Sequence, residues 1–101
     1  MIKHIVFFGL ADHAEGKSKM ENALYIKAEL EKLQETIPEI VSIEVGINLP
    51  EAPEGNFDIA LYSIFNSMAD LDTYQTHHDH KRVAAYIGKV KISRAAVDYL
   101  C

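Results

Sequence analysis

The sequence predicts an α+β fold of the ferredoxin-like type, in which an antiparallel sheet carries helices on one face. The apolar residues recur with period two in some segments and at steps of three and four in others. The resulting order is strand, helix, strand, strand, helix, strand, which is the βαββαβ pattern. The length of 101 residues suits one small domain, expected to span residues 1–101.

The first half of the chain predicts a strand and an amphipathic helix. Residues 2–10 are rich in β-branched and aromatic side chains on both faces, so both faces are expected to be buried. Residues 11–17 are polar and predict a loop that can move. Ser18 and Glu21 form a capping box that begins a helix, and Pro38 ends it. The apolar stripe of this helix comprises Met20, Ala23, Ile26, Leu30, Leu33 and Ile37, and its charged side is assigned to solvent.

The second half predicts two strands, a second helical region and a last strand. Residues 41–47 alternate as a half-buried strand, and residues 48–56, with two prolines, form a loop. Residues 57–65 predict a strand that is apolar on both sides. Ser67 begins helical structure, and residues 92–100 form the final strand. The apolar positions of the helical region are Leu71, Tyr74, Val83, Tyr86, Ile87 and Val90.

The predicted sheet needs a cover on its second face. Helices cover one face of a ferredoxin-like sheet and leave the other bare, yet the first and third strands are apolar on both faces. Pairing with the sheet of a second copy would bury that surface, and two-fold dimers are the commonest oligomers. We therefore expect a homodimer that packs through the sheet faces.

Composition and charge exclude several classes of function. A formal charge of −5 disfavours nucleic acid as a partner. No apolar run of about 20 residues exists, so no membrane span is expected. The lone cysteine, Cys101, cannot form an internal disulfide, which fits the cytoplasm. No glycine-rich phosphate loop or nucleophile elbow is present, and no cofactor is expected.

The stretch from Tyr74 to His80 is the strongest candidate for chemistry. Three of the five histidines, His77, His78 and His80, fall within it, and an unperturbed imidazole changes charge near pH ~6.5. The stretch lies where one helical segment ends and another begins. His77 and His80 have the spacing of one helical face, with His4 as a possible third metal ligand. A partly solvated histidine cluster without metal is the default expectation.

Three features together resemble the stress-responsive dimeric α/β barrel (Dabb) family. They are His4 in an opening strand, Ile37-Pro38 closing the first helix, and Tyr74-x-x-His77-x-x-His80 after a Phe-rich strand. The resemblance covers essentially the whole chain and implies ferredoxin-like protomers whose sheets face each other. A plant member of the family is a polyketide cyclase that performs an intramolecular aldol condensation without a cofactor. In that enzyme the residues matching Tyr74 and His80 carry the chemistry, and the residue matching His4 lies in the pocket. The resemblance implies the same roles for these three residues here.

The chain also departs from the family pattern. His77-His78-Asp79-His80 stands where the family commonly has His-Pro-x-His, and Leu30 stands at the position of a pocket tyrosine of the cyclase.

Three functions are left open, and so is the question of whether the protein is an enzyme. The first is binding of a small, partly apolar molecule in a cleft near His4, Tyr74 and His80. The second is a cofactor-independent lyase or cyclase with His80 as general base and Tyr74 as hydrogen-bond donor. The third is a purely structural stress protein. The residues expected to contact a ligand are His4, His77, Leu30 and Phe8.

Overall fold

The predicted ferredoxin-like fold is confirmed. The computed structural model describes residues 1–101. The elements are β1 (Ile2–Leu10), β2 (His13–Ala14), β3 (Lys17–Ser18), α1 (Lys19–Lys32), a 3-10 turn (Leu33–Glu35), β4 (Ile40–Ile47), β5 (Ile59–Phe65), α2 (Met68–Thr76), α3 (His78–Val90) and β6 (Lys91–Leu100). The four long strands form an antiparallel sheet in the order β4-β5-β1-β6. No helix is both long enough and apolar enough to cross a membrane.

The core lies between one face of the sheet and the helices. Alternate residues of β1 and β5 point to this face, because successive side chains of a strand lie on opposite sides. The buried residues of β1 and β5 on this face are Ile2, His4, Val6, Phe8, Ile59, Leu61, Ser63 and Phe65, and β4 adds Ile40 and Val45. The helices contribute Ala23, Ile26, Leu30, Leu71, Tyr74, Val83, Ile87 and Val90. His4 is therefore a polar side chain within an apolar layer.

The other face of the sheet is uncovered in the protomer. Strand register places Ile5 between Tyr62 and Val97, and Phe7 between Ala60 and Ala95. We call the set Lys3, Ile5, Phe7, Ala60, Tyr62, Ile64, Ala95, Val97 and Tyr99 the open face. Its charged member, Lys3, lies over the rings of Tyr62 and Tyr99. Val97 is 50% exposed and Phe7 is 37% exposed. The sequence predicts that both faces of β1 are buried, and within one protomer only one of them is.

The segment predicted as a mobile loop instead contains a short hairpin. β2 and β3 pair through a turn at Glu15 and Gly16, whose φ angles are 52° and 73°. Asn22 is buried and donates its side-chain amide to the Ala14 carbonyl at 3.1 Å. The hydroxyl of Tyr86 donates to Asn22 Oδ1 at 2.5 Å, which links the hairpin to α1 and α3. The polar composition of the segment does not reveal these anchors.

Helix α1 ends earlier than predicted. It stops at Lys32, and the chain tightens into the 3-10 turn before Pro38, which disfavours helical geometry at Ile37. Ile37 is still buried. Met20 is 45% exposed, because it lies at the rim of a cleft beside the 48–58 segment rather than in the core.

The charged side of α1 is not all left to solvent. Glu29 accepts a hydrogen bond from Arg82, forms ion pairs with Arg82 and Lys32, and has a largely buried side chain. Glu31 accepts the Val45 N–H at 3.0 Å and pairs with Lys27. These bonds attach α1 to α3 and to β4.

Two strands differ locally from the alternation that the sequence predicts. A bulge between Ile40 and Ser42 turns Val41 out to solvent and lets Ile40 share the core side. β5 begins at Ile59, so Phe57 lies before the strand, where its ring packs on Phe7 with centroids 5.8 Å apart.

Candidate functional site

His77 separates α2 from α3 and positions the residues that follow. Its backbone is extended, with φ −64° and ψ 138°, so it ends one helix and caps the next. Its Nδ1 accepts the backbone N–H of Asp79 at 3.1 Å. The break turns the first residues of α3 back toward the sheet, and His80 lies in the first turn of that helix.

His80 is held in one tautomer by the end of α2. Its Nδ1 lies 3.1 Å from the carbonyl oxygen of Gln75, and a carbonyl only accepts, so Nδ1 carries the proton. The Nε2 lone pair of the neutral ring is then left free, and no protein group binds it. Burial is the main cause that lowers the pKa of His80, and the nearby charges of His4 and Arg94 lower it further. The Gln75 carbonyl opposes these effects. The imidazole is therefore neutral at pH 7 and able to accept a proton.

Tyr74 is buried beside this imidazole with an unsatisfied hydroxyl. Its ring lies 4.5 Å from the ring of His80 and 5.0 Å from that of Phe65, measured between centroids. The phenol oxygen is the one buried side-chain polar atom without a hydrogen-bond partner. Burial raises the pKa of Tyr74 far above its ordinary value near 10, so the phenol stays protonated and is available only as a donor or neutral acceptor.

His4 is fixed by a carboxylate from the neighbouring strand. It is buried on the core side of β1, and its Nδ1 contacts a carboxylate oxygen of Asp98, which lies opposite on β6. The ring of His4 lies 6.3 Å from that of Tyr74. The carboxylate can only accept a hydrogen bond, so it fixes the orientation of the imidazole.

A small cavity lies against His80, between α3 and the edge of the sheet. Its volume is about 100 Å³, and its lining residues are His4, Val6, Phe8, Leu30, Leu61, Gln75, His80, Ala84, Ile87, Lys91 and Arg94. We call it the His80 cavity. Of the residues that the sequence suggested, His4, Phe8, Leu30 and His80 line it together. Tyr74 lies behind His80 without lining the cavity, and His77 does not line it either.

Several residues of this site were not suggested by the sequence. Asp98, Lys91 and Arg94 come from β6, and their position depends on the register of that strand against β1. Alternation along β6 places Arg94, Ala96 and Asp98 on one side, which is the signal that points to them. The carbonyl of Gln75, a backbone group, carries no sequence signal.

The potential metal ligands that lie closest together are not the suggested pair of His77 and His80. Nitrogen and oxygen atoms of His77, His78 and Asp79 lie within 4.8 Å of one another. His77 Nδ1 is engaged by the Asp79 N–H, and the positive end of the α3 dipole disfavours a cation there. The suggested set of His77, His80 and His4 does not form a converging donor group of this kind.

Two larger clefts border the 48–58 segment, away from the histidines. Their volumes are about 430 and 530 Å³. Asp58 lines both, and its carboxylate is already used, because it accepts the Leu10 N–H at 2.7 Å and pairs with Lys19 at 3.4 Å. Neither cleft is lined by a histidine, whereas the smaller His80 cavity is lined by an imidazole whose Nε2 has no protein partner, so that cavity is the better candidate site.

Comparisons with known proteins identify the family. The sequence model of the stress responsive A/B barrel domain (Dabb) matches residues 2–101. A dimeric protein of unknown function and ferredoxin-like fold from Bacteroides fragilis is 35% identical, with a TM-score of 0.78 over 99% of this chain and 95% of that chain. A dimeric ferredoxin-like protein of unknown function from Thermobifida fusca is 28% identical, with a TM-score of 0.83 over 99% of this chain and 90% of that chain.

An enzyme shares the fold at lower identity. The hydroxynitrile lyase from Passiflora edulis is 22% identical, with a TM-score of 0.77 over 99% of this chain and 92% of that chain, a likeness that shows the fold alone. No curated protein sequence matches the chain. The family model extends over nearly the whole length of the chain. The chain belongs to the stress responsive A/B barrel domain family.

Proposed function

We propose that the protein binds a small, partly apolar molecule in the His80 cavity. One observation carries the proposal: apolar side chains such as Val6, Leu61 and Ile87 surround an imidazole whose Nε2 has no protein partner. Binding sites of this kind combine apolar walls with a few polar groups that orient the ligand. The cavity volume of about 100 Å³ limits the enclosed part of the ligand to one small ring or a short chain.

A pair of neighbouring alanines on α3 tests this proposal. Ala84 lines the cavity and Ala85 does not, although both are exposed. We expect small aromatic and carbonyl compounds to shift the amide NMR signals of His80 and Ile87 in the wild-type protein and in Ala85→Trp. Ala84→Trp should abolish these shifts, because the indole obstructs the cavity. Equal binding by both variants would place the ligand elsewhere.

A cofactor-independent lyase or cyclase is the second candidate, and the protonation of His80 and Tyr74 supports it. His80 Nε2 would remove a proton from the carbon next to a carbonyl group, and the electron pair would move to the carbonyl oxygen as an enolate. The hydroxyl of Tyr74 lacks an acceptor, but it does not line the cavity, so it would donate to an oxyanion only where the substrate reaches past the imidazole of His80. His4, held by Asp98, would orient the imidazole or the substrate.

Proton exchange separates catalysis from binding alone. Phenylacetone in D2O should exchange its α-hydrogens for deuterium faster with the wild-type protein than without it, as followed by proton NMR. His80→Ala should lose the acceleration, whereas His78→Ala should keep it, because His78 is exposed and outside the cavity. An unchanged exchange rate in His80→Ala would refute the catalytic role of this imidazole. Binding without exchange supports the ligand-binding function.

We propose further that two copies pair through the open face to form the dimeric barrel. The apolar character of that face and the dimeric state of the relatives from Bacteroides fragilis and Thermobifida fusca support this arrangement. A stable dimer that binds none of the compounds above would favour the purely structural role. The single cysteine fits a cytoplasmic location, since disulfides are rare there.

A further inference from the structure

The His80 cavity carries two cations that have no partner within the chain. Of the ten lysines and arginines, five pair with carboxylates. Lys3 and Lys17 lie over tyrosine rings. The remaining three are Lys81, Lys91 and Arg94, and both Lys91 and Arg94 line this one cavity. A cation that is already at a cavity and unpaired is free to bind an anion that enters it.

No carboxylate within the cavity neutralises these two cations. Neither Asp nor Glu is among the lining residues. Asp98 shares the side of β6 with Arg94, but it lies four residues further on, about 13 Å along an extended strand, and contacts His4. The chain as a whole carries a formal charge of −5. The cationic lining is therefore a local feature, opposite in sign to the rest of the molecule.

We infer that the ligand of the His80 cavity is a small organic carboxylate. Its anionic group binds Arg94 and Lys91, its apolar body packs against Val6 and Ile87, and its far end meets His80. The guanidinium presents two parallel N–H donors that match the two oxygens of a carboxylate. The cavity has no glycine-rich turn to cradle a phosphate with backbone N–H groups. This inference rests on the proposed binding function and adds the chemical class of the ligand.

Three probes of similar size test the inference. Benzoate, its neutral analogue benzamide, and phenyl phosphate are titrated at constant ionic strength into the protein, and amide NMR shifts give the dissociation constants. We expect benzoate to bind roughly tenfold more tightly than benzamide, since a charge-assisted pair is worth at least that factor. Arg94→Gln should remove most of the preference, and Lys91→Gln should reduce it.

Lys81→Gln is the matched control. It removes the same charge from the third unpaired cation, which lies outside the cavity, and it should keep the preference for benzoate. Equal affinity for benzoate and benzamide overturns the inference but leaves the proposed binding function intact. Tighter binding of phenyl phosphate overturns the assignment to carboxylates. A loss in Lys81→Gln as large as in Arg94→Gln attributes the preference to overall charge and also overturns it. Absence of binding by all three probes removes both the inference and the proposed function.

Discussion

At the scale of single residues, the charge of His80 decides what the cavity can do. Burial holds the pKa of His80 below its ordinary value near 6.5, with further lowering by His4 and Arg94. We expect the NMR titration of the His80 ring to have its midpoint below 6.5. Arg94→Gln should raise that midpoint, because the substitution removes a neighbouring positive charge. A midpoint above 6.5 in the wild-type protein would contradict the burial of this ring.

The same lowered pKa makes stability depend on pH. In the range between the folded pKa of His80 and about 6.5, the unfolded chain binds more protons at this position than the folded chain does. The contribution of His80 is therefore fully present above about pH 6.5 and is lost as the pH falls toward the folded pKa. Urea unfolding at several pH values should show a steeper loss for the wild-type protein than for His80→Gln.

Tyr74 is expected to cost stability in the absence of a ligand. Its buried hydroxyl has no partner, and an unsatisfied polar group in the core is unfavourable by about 1–3 kcal/mol. Tyr74→Phe should therefore leave the free energy of unfolding unchanged or raise it by about 1 kcal/mol, while impairing any ligand chemistry at the site. Denaturant unfolding measures the change.

Tyr86→Phe is the contrasting substitution. The hydroxyl of Tyr86 donates to the buried Asn22 at 2.5 Å, so its removal leaves that amide oxygen unpaired. We expect a loss of about 1–2 kcal/mol. A loss of the same size in Tyr74→Phe would mean that the Tyr74 hydroxyl has a partner, such as a bound water molecule.

The candidate site shows which residues a sequence can indicate. Tyr74 and His80 stand out through the rarity of their cluster, and Phe8 and His4 through their strand position. Lys91, Arg94 and Asp98 do not stand out, because their role depends on how β6 aligns with β1. Sequence periodicity fixes the face of a strand but not its register against a distant partner.

At the scale of elements, the start of α1 is the point where sequence and structure agree most directly. The Ser18 N–H donates to Glu21 Oε1 at 2.9 Å, and the Glu21 N–H donates to Ser18 Oγ at 3.2 Å. We expect Ser18→Ala to lower the free energy of unfolding by about 1 kcal/mol, because the helix loses a side-chain cap. Ser42→Ala, in β4 and without a side-chain hydrogen bond, should change it by less. If Ser18→Ala and Ser42→Ala lower the free energy of unfolding equally, the hydrogen bonds of the cap contribute little to stability.

The elements that the sequence misplaces are set by contacts between distant segments. The hairpin β2–β3 depends on Asn22 and Tyr86, and the bulge in β4 depends on its pairing with β5. Capping and proline signals act within a few residues, so they mark α1 correctly at its start and approximately at its end. Tertiary contacts decide the remaining boundaries.

At the scale of the whole molecule, the two faces of the sheet differ in their exposure to water. Helices bury the side that carries His4, and the open face leaves Ile5, Phe7 and Val97 at least partly in contact with water. An apolar surface spread over three adjacent strands is costly to expose, and the same face of a second copy would cover it across a two-fold axis. The His80 cavity is built on the helix side, so loss of the dimer would not directly remove its lining.

This separation allows a test of assembly. Val97→Lys should convert the protein from a dimer to a protomer of 11.3 kDa, because it places a charge opposite Ile5 at the centre of the open face. Sedimentation at micromolar concentration measures the mass. Leu24→Lys, at a 55% exposed site on α1, is the control and should remain a dimer. A wild-type protein that sediments as a protomer at that concentration would refute the dimeric barrel, because the open face would then be stable in water.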